Sequence, residues 1–131
     1  MKLKTKSFTE KLLTRLREIE KAEVARYEKF SKCIDPRKTA DWEYPINALI
    51  DCNIRLNQIQ SLIHIIAKCR TEVVALSQLK LFISRLTEVL LDNRFAGKST
   101  SPVHNAIDMC KTDIYAQLRR WFVEFVEDNP T

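Results

Sequence analysis

Apolar residues return every three or four positions along four stretches of the 131-residue chain, the interval that places them on one face of an α-helix. In the first stretch Phe8, Leu12, Leu16, Ile19, Tyr27 and Phe30 form the stripe, with Leu13 and Val24 widening it. In the second, Ile46, Leu49, Ile50, Leu56, Ile59, Leu62, Ile63 and Ile66 make a face broad enough for a central helix. Leu76, Leu79, Phe82, Ile83, Leu86, Val89 and Leu90 carry the third, and Val103, Ile107, Cys110, Ile114, Leu118, Trp121 and Phe125 the fourth. The pattern predicts an all-α, compact bundle with helices over residues 7–32, 45–69, 72–92 and 102–127.

The expected boundaries follow from capping chemistry. Ser7 and Glu10 form a Ser-x-x-Glu capping box, in which the hydroxyl takes the Glu10 amide and the carboxylate reaches back. Asp35-Pro36 lies in a loop from Cys33 to Tyr44, and Pro45 suits the first position of the second helix, where its missing N–H costs nothing. No Gly or Pro interrupts the chain between Pro45 and Gly97, yet one helix over residues 45–92 would run about 70 Å, too long for a domain of this size. A break is expected between Lys68 and Ser77, with Thr71 or Ser77 capping the third helix. Residues 92–101, DNRFAGKSTS, read as a loop, and Ser101-Pro102 as a cap-plus-proline start.

Composition supports this picture: one glycine and four prolines are too few for the tight turns of a sheet protein. The length suits one domain over residues 1–131, with a basic arm at 1–6 and a tail at 128–131. The least polar stretch, Leu56 to Ala67, holds Asn57, Gln58, Gln60 and His64, so no membrane span is expected, and the basic start lacks the apolar region of a secretory signal. Cys33, Cys52, Cys69 and Cys110 are too far apart for a CxxC metal site and read as free thiols of a reducing, cytoplasmic setting.

Candidate chemistry is sparse. Gly97-Lys98-Ser99 ends like a phosphate-binding loop, but Asp92 stands where that motif needs its first glycine, and a helix precedes it instead of a strand. His104 and Asp108, four apart on one helix, could orient an imidazole for acid–base work, yet nothing nearby supplies a nucleophile. Neither histidine has a glutamate three residues before it, as a di-iron bundle requires. No catalytic residue, metal or cofactor is assigned.

Charge asymmetry is the remaining signal. Residues 1–38 hold twelve Lys and Arg against six acids, an excess of +6, while the rest of the chain is −1. Lys4, Lys6, Lys11, Arg15, Arg26, Lys29, Arg37 and Lys38 form one candidate phosphate-tracking surface, and Lys111, Tyr115, Arg119 and Arg120 a second that could add stacking. They point to a non-catalytic, sequence-tolerant subunit that binds RNA or single-stranded DNA. In size, helicity and charge the chain is similar to small subunits of ribonucleoprotein machines, CRISPR effector complexes among them, and to retroelement accessory proteins, an analogy of fold alone. The competing reading is a helical adaptor or homo-oligomeric accessory protein that uses Trp42, Tyr44 and Phe95, aromatics the periodic core does not need.

Overall fold

The computed structural model describes residues 7–95 and 102–130, with side chains described at 7–38, 40–91 and 107–130. Among the described residues four helices carry the chain: α1 (Phe8–Ser31), α2 (Glu43–Ala67), α3 (Glu72–Phe95) and α4 (Pro102–Asp128), with a 3₁₀ turn at Thr39–Asp41. They form a compact all-α bundle with no strand among the described residues. Phe8 reaches both Glu72 and Phe125, and Phe82 meets Phe122, so successive helices run up, down, up and down. The closest packing is between α1 and α2, then between α3 and α4, and α2 touches all three others. Among the described residues no helix is long and apolar enough to cross a membrane.

Two expected caps hold in part. Ser7 Oγ accepts the Glu10 amide at 3.2 Å, and the next free amide of the helix start, that of Phe8, donates to Glu72 Oε1 of α3 at 2.8 Å. The break between α2 and α3 falls at residues 68–71. Lys68 and Cys69 donate to Ile65 and Ile66 in a tightened last turn, and Thr71 Oγ1 caps α3 by accepting the Val74 amide at 3.2 Å. No described residue has positive φ, so this corner needs no glycine.

Two boundaries move. α2 begins at Glu43, two residues before the expected start, and Pro45 sits within the first turn, where amides have no helical partner in any case. α3 continues to Phe95, so residues 92–95, expected to open the loop, are helical. The rest of that loop, with Gly97-Lys98-Ser99, lies outside the described residues, as do Lys4, Lys6 and the side chains of His104 and Phe95.

The core fills one half of the bundle. Leu12, Leu16, Ile59, Leu62, Ile66, Ala75, Leu79, Ile114 and Phe122 are fully buried, with Phe8, Phe82, Leu86 and Leu118 beside them. Phe82–Phe122 and Phe8–Phe125 meet edge to face at 5.8 and 5.6 Å, a geometry that adds about 1 kcal/mol to area burial. The other half is built differently. Val24, Tyr27, Ile46 and Val89, expected on buried stripes, are exposed; beyond Ile19 the inward face of α1 carries Glu23 and Arg26, while Ala48 and Cys52 of α2 stay buried.

Candidate functional site

The stripe that buries Leu12 and Leu16 continues, at spacings of three and four, through Ile19 to Glu23, Arg26 and Phe30. Two core-facing positions of α1 are therefore charged, and α2 answers with Asp51 and Arg55, one turn apart. Arg26 Nη1 donates to Asp51 Oδ1 at 3.0 Å, Arg55 Nε donates to the same oxygen at 2.8 Å, and Arg55 also approaches Glu23 Oε1 at 4.0 Å. Arg55 extends across to Gln117 Oε1 of α4. Two cations and two anions thus form a neutral layer, with Glu23, Arg55 and Asp51 side chains only 16, 21 and 23% exposed. Glu23 Oε2 is the exception: it is buried and lies 3.5 Å from Arg26 Nη1, without a hydrogen bond.

Cys52 is buried beside this layer. Removal from water first, and the neighbouring Glu23 carboxylate second, push its thiol up to about 11 from 9.0. The Cys110 thiol is raised in the same sense, by burial and then by Asp51. A thiol held neutral in this way is a poor nucleophile. Among the described residues no three His, Cys, Asp or Glu side chains gather as metal ligands would.

The cations expected to form a phosphate-tracking surface are dispersed. Arg26 belongs to the interior layer: burial works to lower its guanidinium, and Asp51 with the surrounding anions outweighs this and raises it. Arg15 pairs with Glu18 at 3.2 Å and lies over the Trp121 ring at 5.9 Å. Arg37 pairs with Asp35 at 3.7 Å, and Lys29 leans on the Phe30 ring at 5.7 Å. Lys11 and Lys38 are exposed.

The α4 set separates from the α1 set. Arg119 Nε donates to Thr87 Oγ1 of α3 at 2.7 Å, whereas Trp121 faces α1, about 200° around the α4 axis. Tyr115 is half-buried against the core, its hydroxyl accepting from Gln58 Nε2 at 3.4 Å. Lys111 is half-buried and Arg120 exposed. Trp121 packs on Phe122 and Phe125 at 4.9 and 5.7 Å, so the helix-four aromatics serve the bundle before any ligand.

The aromatics read as protein contacts also divide. Trp42 is a loop staple: its indole donates to the Asp35 carbonyl at 2.7 Å, while the Asp35 carboxylate takes the Arg37 amide. Tyr44 is 71% exposed, touching the chain through an edge-to-face contact with Phe30 at 5.5 Å. Val24, Tyr27 and Ile46 are exposed at the same end of the α1–α2 hairpin. At the opposite end of α1 an open cleft of about 410 Å³ separates it from α4, lined by Lys11, Arg15, Glu18, Trp121, Glu124 and Asp128 among others.

No protein-family description matches this chain, and no curated protein and no solved structure is significantly similar to it.

Proposed function

We propose that this chain is a non-catalytic helical interaction module that binds protein through the loop-proximal end of the α1–α2 hairpin. The observation that carries the reading is Tyr44, 71% exposed on the first turn of α2, with Val24, Tyr27 and Ile46 exposed at the same end. A tyrosine gives large contact area at low entropic cost, and an aromatic at the centre of an apolar patch is the usual anchor of a protein interface. The acid–cation pairs that hold Arg15, Arg26 and Arg37 support the same conclusion, since each already has a carboxylate partner in the chain.

A photo-crosslinking residue such as p-benzoylphenylalanine at position 44, compared with the same residue at exposed polar position 85, tests it in the cells that make the protein. A discrete protein adduct from position 44, absent from position 85, is the expected result. No adduct at 44, or the same adducts from both positions, overturns the reading.

A second reading, a subunit binding RNA or single-stranded DNA, is favoured by the +5 net charge and by exposed Lys11, Lys29, Lys38 and Arg120. It requires affinity that falls steeply between about 50 and 200 mM salt.

A further inference from the structure

The cleft between α1 and α4 has walls of opposite sign. On the α1 side stand Lys11 and Arg15, the latter paired with Glu18 on the same wall, which leaves that side net positive. On the α4 side stand Glu124 and Asp128, with the half-buried ring of Trp121 between the two walls. Such walls would be expected to close on one another, and they do not: among the described residues no ion pair joins α1 to α4, and the only carboxylate paired with Arg15 is Glu18 on its own helix. Among the described residues the aromatic contacts between the two helices are Phe8 with Phe125, and Arg15 over the Trp121 ring. The cleft of about 410 Å³ therefore leaves Lys11 on one wall and Glu124 and Asp128 on the other without an ion pair among the described residues, across an aromatic floor.

We infer that this seam binds a second copy of the same chain, a proposal that rests on the interaction-module reading and names one of its partners. A two-fold interface must be complementary to itself, each patch meeting an identical patch turned around. A patch with a cationic wall on one helix and an acidic wall on the next meets that condition. Rotation sets Lys11 and Arg15 of one copy against Glu124 and Asp128 of the other, and repeats the pairing on the far side. Trp121 of each copy lies near the centre, where an aromatic excludes water from the pairs around it. Partners of a single sign fit worse. A phosphate chain would meet Glu18, Glu124 and Asp128, and a basic peptide would meet Lys11 and Arg15.

The test uses the full chain and two charge-reversed variants, Lys11→Glu/Arg15→Glu and Glu124→Lys/Asp128→Lys, followed by sedimentation and native mass spectrometry, with circular dichroism checking the fold. Wild type is expected to dimerise, and each folded variant, now carrying like charge on both walls, to lose at least tenfold in self-affinity. Mixing the two variants restores a heterodimer, because the acidic seam of one faces the mainly basic seam of the other, where Glu18 is the one remaining acid. A monomeric wild type, variants that dimerise as wild type does, or folded variants that fail to pair when mixed would each overturn the proposal. None of these outcomes bears on the Tyr44 cross-linking result, so the seam and the hairpin surface fail separately.

Discussion

Glu72 Oε1 accepts the amide hydrogen of Phe8 at 2.8 Å, joining the first turn of α3 to the first turn of α1 across 64 residues of sequence. Together with Ser7, it satisfies two of the amides a helix start leaves without a partner, and it sets negative charge at the positive end of the α1 dipole. Glu72→Ala is expected to lower stability by about 1 kcal/mol in urea denaturation, and Glu72→Gln, which keeps an acceptor, by less. Equal stability of all three proteins would show that the contact contributes nothing.

The interior layer predicts an asymmetry between two glutamates of one helix. Glu18 and Arg15 are 60 and 52% exposed, so Glu18→Ala is expected to cost no more than about 0.5 kcal/mol. Glu23 is 16% exposed beside Arg26 and Arg55, and Glu23→Ala, which leaves two half-buried guanidiniums sharing Asp51, is expected to cost about 2 kcal/mol. Chemical denaturation of the two variants under one set of conditions decides between them.

That layer shows where the sequence could be read and where it could not. The helices, the Ser7 and Thr71 caps and the all-α class follow from local spacing and turn chemistry, because those signals act within one or two helical turns. Residues 8–16 of α1 were legible for the same reason. Beyond Ile19 the apolar stripe is continuous only if Glu23 and Arg26 are skipped to reach Tyr27 and Phe30, a gap of eight that itself marked a polar layer. Asp51 and Arg55 on a mostly apolar helix were a second sign. What spacing could not supply is pairing: which carboxylate meets Arg26, or that Glu72 takes the Phe8 amide, depends on how the helices assemble. Spacing was equally silent on which neighbour each α4 side chain meets, since Arg119 reaches Thr87 of α3 and Trp121 lies against Arg15 of α1.

The uneven core predicts uneven tolerance along α1. Leu12 and Leu16 are fully buried, and replacing either with Ala is expected to cost about 2–5 kcal/mol. Tyr27, 42% exposed, is expected to tolerate Ala within about 1 kcal/mol. Thermal melts of the three variants measure the contrast, and a Tyr27→Ala loss equal to that at Leu16 would contradict a core confined to one half of the bundle.

Cys52 predicts a dependence on pH. Burial holds its thiol at about 11, above its ordinary 9.0, so the unfolded chain releases the proton first. The contribution is fully present below pH 9 and is lost as the pH rises toward 11. Stability followed across that interval should fall less steeply in Cys52→Ala than in wild type, even though the variant starts lower. In the native protein at pH 8 a thiol reagent should modify exposed Cys33 well before Cys52.

The central proposal is that this bundle binds protein, a second copy included, in preference to nucleic acid. Light scattering with absorbance at 260 and 280 nm, recorded on one chromatographic peak of protein purified without nuclease in about 50 mM salt, tests it most directly. The expected result is a mass of twice the 15.3 kDa chain with the absorbance ratio of pure protein. A monomer carrying nucleic-acid absorbance, stripped by raising the salt to about 200 mM, would contradict it.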